Sequence, residues 1–116
     1  MNDGQKAEEF AARYITSRGL KIVERNWKTY WCEIDIVATH KKTVHIVEVK
    51  HRKSGRHGAA LEYITDTKKQ QLCLAAQHWV TENGWRGDCQ IDAIGITGDI
   101  ELNNLRYVPG AIEVDQ

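Results

Sequence analysis

The segment VHIVEVKHRK (residues 44–53) decides the fold. It begins as a strand of β-branched residues and then places Glu48 and Lys50 two positions apart, where further Val or Ile is expected. The segment EIDIVAT (33–39) precedes it with the same strand composition, and polar HKK (40–42) lies between the two. Together the two segments predict a β-hairpin that carries charge in its most strand-like part.

Alternation along the two strands fixes the register of this hairpin. A symmetric loop about HKKT or about KK alone gives the same pairing, in which Asp35 faces Glu48 and Glu33 faces Lys50. One face then collects the apolar residues that we expect to form the core: Ile34, Ile36, Ala38, Val47 and Val49. The other face mixes the four charged residues with Val37, Val44 and Ile46. It is too apolar for a fully wet surface and too charged for a second ordinary core.

Two carboxylates that face each other across neighbouring strands, with Cβ atoms about 5 Å apart, repel. A raised pKa that keeps one of them protonated removes the repulsion, and so does a divalent cation such as Mg²⁺. Lys50 projects from the same face and would hold a water or a phosphate oxygen beside the ion, as phosphodiester hydrolysis requires. The alternative is an exposed sheet face with a Glu33–Lys50 ion pair worth under about 1 kcal/mol.

Apolar periodicity along the rest of the chain predicts an α/β fold in the order α-β-β-β-α-β-β. A first helix is expected over 3–18, capped by Asp3, and a second over 59–83. Strands are expected over 20–27, 33–39, 44–50, 89–97 and 105–108. No linker or repeat divides the chain, so we expect one nuclease-like domain over 1–116, with a mixed sheet of about five strands flanked by helices.

Glu8 lies at the border of the apolar stripe of the first helix, whereas Glu9 falls on its polar face. Glu8 is therefore able to face the sheet. Two interpretations of Glu8 stay open: a metal role, or an acid that the helix dipole favours in the first turn. Tyr30 and Trp31, just before the acidic strand, also have two interpretations, as surfaces that stack unpaired bases or as part of the core.

Composition restricts the partners. Sixteen Lys and Arg balance sixteen Asp and Glu, so no overall positive field marks a protein that binds polyanions. Positive charge is local, in KHRKSGRH (50–57), which fits a phosphate-binding loop; a solvated loop is the alternative. The three cysteines form no CxxC pair and lack zinc spacing with the histidines, and no signal peptide or membrane span is evident. We therefore expect a cytoplasmic protein without a membrane partner.

Several motifs in one order resemble the uncharacterised bacterial YraN family, which belongs with the restriction-endonuclease-like (PD-(D/E)XK) nucleases and is similar to archaeal Holliday junction resolvases. The resemblance extends from about residue 4 to residue 97. The motifs that carry it are Gly4, AEEFAARYI (7–15), RN (25–26), EIDIVA (33–38), VEVKHR (47–52), Gly58, Lys68 with Leu72, Ala75 and Ala76, and Asp92. Asp92 alternates with apolar residues, so a structural hydrogen-bonding role is an open alternative for it.

The resemblance implies a nuclease core in which Asp35, Glu48 and the backbone carbonyl of Val49 bind Mg²⁺ or Mn²⁺. Lys50 would orient or activate the attacking water. Glu8 matches the helix glutamate that completes such sites in resolvase-like members. These five residues are the predicted catalytic and metal-binding set.

The resemblance also extends to basic residues that would contact nucleic-acid phosphates. Arg52 and Lys68 match basic positions of the family, and the loop between them adds Lys53 and Arg56. Cys32 departs from the family, which has Gly at this position. That change could alter how the acidic strand begins or shield the site.

Three hypotheses about function follow. The leading one is a metal-dependent, endonuclease-like hydrolase that acts on DNA phosphodiester bonds, with branched or structured DNA as a suitable substrate. The second is a nucleic-acid-binding module that keeps the fold without the chemistry. The third is a small scaffold with the same fold whose apolar face forms a homodimer.

Overall fold

A computed structural model describes residues 1–114. Its architecture is a five-stranded mixed sheet with one helix packed on each face, in the predicted order α-β-β-β-α-β-β. This α/β arrangement confirms the predicted fold class and is consistent with a restriction-endonuclease-like fold. No helix within residues 1–114 has both the length and the hydropathy needed to cross a membrane.

The elements follow the predicted order closely. The helices are α1 (Asp3–Ser17) and α2 (Asp66–Glu82). The strands are β1 (Lys21–Lys28), β2 (Glu33–His40), β3 (Thr43–Arg52), β4 (Asp88–Thr97) and β5 (Leu105–Ile112). Two short 3-10 helices, η1 (Ala59–Tyr63) and η2 (Leu102–Asn104), precede α2 and β5. All five predicted strands are present, and the last is longer than the predicted segment 105–108.

The strands lie side by side in the order β1-β2-β3-β4-β5, and only β3 and β4 run parallel. β2 and β3 pair in the predicted register, with Ile36 opposite Val47 at one end of the regular ladder. Beyond this pair, the Val49 N–H donates to the Asp35 carboxylate at 2.8 Å instead of to a backbone carbonyl of β2. The β2–β3 ladder is therefore open at the end where the predicted acidic pair lies.

Each face of the sheet carries an apolar core. The core under α1 includes Ala7, Ala11, Ile15, Ile36, Ala38, Val47, Ile94 and Ile96. The core under α2 includes Ile34, Val37, Val44, Ile46, Leu72, Ala76, Trp79 and Ile91. The expectation that the charged face would not form an ordinary core is therefore wrong. Apolar residues dominate most of this face, and α2 covers them.

Ile34 lies in the core under α2, so its predicted place beside Ile36 is wrong. The reason is an irregularity in the neighbouring strand. Asn26 of β1 adopts a left-handed conformation with φ 52°, and β1–β2 pairing is interrupted between the partners of Ile36 and Ile34. The strict alternation of β2 therefore breaks at Asp35, between the two isoleucines.

The start of α1 differs by one capping residue from the prediction. Asn2, not Asp3, caps the helix: Asn2 Oδ1 accepts the Gln5 N–H at 2.8 Å, and the Gln5 side chain accepts the Asn2 N–H at 3.0 Å. This reciprocal pair is a capping box. It fixes the end of α1 that lies near Glu8.

The predicted helix over 59–83 is two separate elements. Thr65 caps α2, because its Oγ1 accepts the Lys68 N–H at 3.1 Å. The preceding residues form η1 (Ala59–Tyr63) instead of a longer α-helix. This correction places Lys68 in the first turn of α2, at the end of the helix near the acidic strands.

Gly87 allows β4 to begin directly against the β2–β3 turn. The Asp88 N–H donates to the Lys42 carbonyl at 2.8 Å, and a Cβ atom at position 87 would lie 1.9 Å from that carbonyl oxygen. We expect Gly87→Ala to lower the free energy of unfolding by about 1–3 kcal/mol, because the start of the β3–β4 pair must shift. Urea unfolding followed by circular dichroism measures the effect.

Gly4→Ala is the control for this substitution. A Cβ at position 4 makes only an ordinary contact, 3.4 Å from Asn2 Oδ1, and alanine favours helix more than glycine does. Gly4→Ala should therefore keep or raise the stability. A Gly87→Ala protein as stable as the wild type would contradict the predicted clash.

Candidate active site

The carboxylates of Asp35 and Glu48 meet at the open end of the β2–β3 pair. The two side chains are hydrogen-bonded to each other. Glu48 is only 5 % exposed, and Asp35 is held in addition by the Val49 N–H at 2.8 Å. The juxtaposition predicted from the register is therefore present in the folded chain.

Asp35 keeps a proton that it shares with Glu48 through their hydrogen bond. Burial raises the pKa of Asp35 to about 8, together with the hydrogen bond and the negative charge of Glu48. The Val49 N–H and the Lys68 ammonium act in the opposite direction on this pKa. At neutral pH Asp35 therefore keeps its proton, which is one of the two remedies for carboxylate repulsion that the sequence leaves open.

Two lysines lie on the side of the sheet that carries the pair. Lys68 Nζ lies 3.5 Å from Glu48 Oε2, and the Lys68 side chain is largely covered. Lys50 follows Glu48 by two residues in the regular β3–β4 ladder, where it pairs with Gly95, so its side chain leaves the same face. Its ammonium makes no ion pair within residues 1–114. The chain thus brings Lys68 to the carboxylates and leaves Lys50 available for a ligand.

Glu8 and Glu33 form a second acidic pair beside the first, and Asn26 joins them. With its amide oriented to donate, Asn26 Nδ2 lies 2.8 Å from Glu8 Oε1 and 2.9 Å from Glu33 Oε1. Burial raises the pKa of Glu8, the charge of Asp35 raises it further, and Arg25 lowers it. Glu8 therefore lies within the field of the first pair. Sequence reasoning missed the role of Asn26, for which the motif at residues 25–26 was the only signal.

The predicted phosphate contacts are spread over the same end of the molecule. Lys68 lies at the acidic pair, while the guanidinium of Arg52 lies 3.9 Å from the centre of the Tyr63 ring. Lys53 and Arg56 are exposed, and each forms an ion pair with a nearby acid. Only Lys68 of these four basic residues contacts the carboxylates.

Cys32 borders the acidic pair as well. Burial raises the pKa of its thiol, and although Lys68 lowers it, the charges of Glu48 and Asp35 raise it further. The thiol is therefore protonated at neutral pH. A protonated thiol is neither a nucleophile nor a ready metal ligand, so Cys32 borders the site as an uncharged side chain.

Asp92 is fully buried and lies outside this cluster. It accepts hydrogen bonds from Tyr107 Oη (2.6 Å), Gln90 Nε2 (2.7 Å) and the Gly110 N–H (2.9 Å), and His45 Nδ1 lies 2.7 Å away. Burial raises the pKa of Asp92, but these hydrogen bonds outweigh it and lower the pKa. Asp92 joins β3, β4 and β5, which supports the structural interpretation of this acid.

Comparison with known proteins identifies the family. The sequence model described as "Uncharacterised protein family UPF0102" matches residues 7–96. The chain belongs to the UPF0102 family. A UPF0102 protein of Nitrosococcus oceani is 32 % identical over 114 residues, which cover 97 % of this chain and 92 % of the relative. One of Chlorobium chlorochromatii is 38 % identical over 93 residues, covering 80 % and 72 %.

A third relative gives the same result. A UPF0102 protein of Herpetosiphon aurantiacus is 35 % identical over 113 residues, covering 90 % of this chain and 91 % of its own length. The resemblance to the YraN-type family is thereby confirmed. The UPF0102 match spans every predicted site residue from Glu8 to Lys68. The roles of these residues in UPF0102 proteins stay predictions.

The predicted metal ligands of this UPF0102 site are all oxygen donors. Within residues 1–114, no group of three or more His, Cys, Asp or Glu side chains is arranged to hold a metal ion. Mg²⁺, however, is commonly bound by one or two carboxylates together with waters and substrate phosphates. The two buried carboxylates of Asp35 and Glu48 are oxygen donors of the kind that such a shared site uses, and Mg²⁺ or Mn²⁺ binding with the Val49 carbonyl stays a prediction.

Proposed function

We propose that this UPF0102 protein is a Mg²⁺- or Mn²⁺-dependent nuclease that hydrolyses phosphodiester bonds in DNA. One observation carries the proposal: two carboxylates, Asp35 and Glu48, meet at the open end of a strand pair, with Lys68 3.5 Å from one of them. Burying two acids together is unfavourable unless a proton or a cation separates their charges. A site maintained at that cost suits a group that comes and goes with a substrate.

The residues of the site divide the chemistry among them. Asp35, Glu48 and the Val49 carbonyl would hold the cation, which, when bound, offsets phosphate charge and lowers the pKa of water. Lys68 holds the Glu48 carboxylate in place from the α2 side. Lys50 has no acidic partner within the described residues, so its ammonium is available to orient a water or a phosphate oxygen.

Glu8 has a separate part in the proposal. It is hydrogen-bonded to Asn26 beside the carboxylate pair, and burial raises its pKa, which the charge of Asp35 raises further. We propose that Glu8 completes the site when substrate is bound. Arg52, Lys53 and Arg56 would contact phosphates around it, without reading base sequence.

Cleavage of labelled branched, flap and single-stranded DNA tests the proposal. Wild-type protein is expected to give product with Mn²⁺ or Mg²⁺ and none with EDTA. Glu48→Gln and Lys50→Ala are expected to lower the rate about 100-fold or more, because the first removes a charged ligand of the cation and the second the ammonium that orients the water or phosphate oxygen. Glu101→Gln changes an exposed acid that forms no ion pair within residues 1–114 and should leave the rate unchanged.

Calorimetric titration of Mn²⁺ separates binding of the ion from cleavage. Heat is expected with wild-type protein and not with Glu48→Gln. Equal, negligible heats for both proteins would overturn the metal site. Tight DNA binding without any metal-dependent product would instead support the nucleic-acid-binding module.

A further inference from the structure

Tyr30 is the most exposed large side chain with apolar character in residues 1–114, at 94 % exposure. It lies in the turn between β1 and β2, directly before the strand that carries Asp35. The end of that turn, Cys32, lies within the electrostatic field of Asp35, Glu48 and Lys68. A flat aromatic ring is therefore presented to solvent at the rim of the candidate active site.

The turn that presents Tyr30 is held by hydrogen bonds to Thr29. Thr29 Oγ1 accepts the N–H groups of Trp31 (3.2 Å) and Cys32 (3.0 Å) and donates to the Cys32 carbonyl at 2.6 Å. The Thr29 N–H donates to the same carbonyl at 3.0 Å. The backbone of the turn that carries the ring is thus held in one conformation, which lowers the backbone entropy lost when a ligand binds to it.

Ring contacts connect Tyr30 through Trp31 and His78 to Trp27. The ring of Tyr30 stands edge-on to Trp31 with centroids 5.9 Å apart, and Trp31 stands edge-on to His78 of α2 at 5.8 Å. His78 in turn lies over Trp27 of β1 at 5.5 Å. Trp27 packs against the core under α2 and Trp31 contacts His78, whereas the core interpretation is wrong for Tyr30, which keeps both ring faces open.

A second open ring lies on the other side of the carboxylate pair. Tyr63 of η1 is 49 % exposed, and the guanidinium of Arg52 covers one of its faces at 3.9 Å. η1 packs over β3 and β4, where Gly95 leaves room for Leu61. Since the sheet order is β1-β2-β3-β4-β5, Tyr30 lies on the β1 side of the open β2–β3 end and Tyr63 on the β4 side.

We propose that the site acts on nucleic acid with unpaired nucleotides on both sides of the cleaved phosphate, with one base stacked on Tyr30 and another on the Arg52–Tyr63 pair. This inference rests on the proposed nuclease function. Aromatic platforms combined with lysine and arginine side chains are the means by which proteins hold single strands without sequence preference. Bases inside a duplex have no free ring face, so an intact duplex cannot use either platform.

The arrangement also explains the positions of the lysines. A strand that crosses from one ring to the other passes the end of the β2–β3 pair, where its phosphates meet Lys68 and Lys50. The bases point to the rings and the phosphates to the ammonium groups. Stacking on two fixed platforms would hold the backbone at the carboxylates in a defined position.

Binding in EDTA tests the inference without cleavage. Fluorescence anisotropy is measured with one labelled oligonucleotide, single-stranded or annealed to its complement. Tyr30→Ala and Tyr63→Ala are each expected to raise the Kd for the single strand about 5- to 100-fold and to change duplex binding less than about twofold. Tyr30→Trp and Tyr63→Phe, which keep a ring, should restore most of the affinity.

Two controls make the result specific. Leu102→Ala removes another exposed apolar side chain, far from the site in sequence, and should leave the affinity unchanged. The melting temperature of Tyr30→Ala should equal that of the wild type, because the ring is exposed.

The outcomes separate this inference from the nuclease proposal. Ring-dependent binding of single strands without metal-dependent cleavage would uphold the recognition and overturn the nuclease. Cleavage by a protein whose Tyr30→Ala and Tyr63→Ala variants bind single strands like the wild type would uphold the nuclease and overturn the stacking platforms. Equal affinity of the wild type for single strand and duplex would also overturn the platforms.

Discussion

Asp92→Ala is expected to lower the free energy of unfolding by about 3–5 kcal/mol. The substitution removes the acceptor of the Tyr107 hydroxyl and of the Gly110 N–H, and it removes the partner of the buried His45. The His45 side chain, which is buried, loses its hydrogen bond without regaining water. Urea unfolding at neutral pH measures the loss, and Asp99→Ala, at an exposed position just after β4, is the matched control with little expected effect.

The stabilisation by Asp92 also has a defined pH range. Hydrogen bonds hold the pKa of Asp92 below its ordinary value of 3.8, against the effect of burial. A group with a lowered folded-state pKa stabilises the fold above its unfolded pKa and loses that effect as the pH falls through the folded value. As the pH falls below 3.8 and through the lower folded value, the wild type should therefore lose the stability that the ionised carboxylate contributes. A loss under about 1 kcal/mol at neutral pH would show that Asp92 is not a structural centre.

Local sequence patterns were sufficient for the elements that depend on neighbouring residues. The β2–β3 register follows from alternation and a short loop, so Asp35 and Glu48 could be placed opposite each other before the fold was known. The break in alternation at Ile34 could not be placed, because it depends on the left-handed conformation of Asn26 in another strand. The register depends only on residues within one hairpin, whereas the break in alternation depends on a residue of the neighbouring strand β1.

The parts of the candidate site that come from distant segments were only partly predictable. The contact of Lys68 with Glu48 depends on where α2 begins. The apolar stripe predicts a start at residue 59, whereas the Thr65 cap sets the start at Asp66. The bridge from Asn26 to Glu8 joins a strand to a helix, and no periodic pattern reports such a contact. Which residues belong to the candidate site was therefore easier to predict than the side-chain contacts among them.

Asp35→Asn is expected to make the metal-free protein more stable than the wild type at alkaline pH. In the wild type, burial and Glu48 raise the folded-state pKa of Asp35 to about 8, against an ordinary value of 3.8. A raised pKa gives stability that is complete below the unfolded value and is lost as the pH rises through the folded value. At 1.36 kcal/mol per pH unit, the wild type should lose about 4 kcal/mol between pH 5 and pH 9.

The side-chain amide that Asp35→Asn introduces explains the expected gain. It can accept the Val49 N–H and donate to Glu48 without carrying charge, so both hydrogen bonds remain while the repulsion disappears. Urea unfolding at pH 5, 7 and 9 in EDTA should give a much flatter profile for Asp35→Asn than for the wild type. Asp88→Asn, the same change at an exposed strand position, should follow the wild-type profile.

Mn²⁺ added at pH 9 then distinguishes the two remedies for carboxylate repulsion. A cation that binds between Asp35 and Glu48 replaces the lost proton, so it should restore much of the wild-type stability and leave Asp35→Asn unchanged. A wild-type profile that is flat from pH 5 to pH 9 would contradict the shared proton itself. A steep profile that Mn²⁺ does not alter would support the shared proton and contradict the metal site, because the two carboxylates that hold the proton are those that must hold the ion.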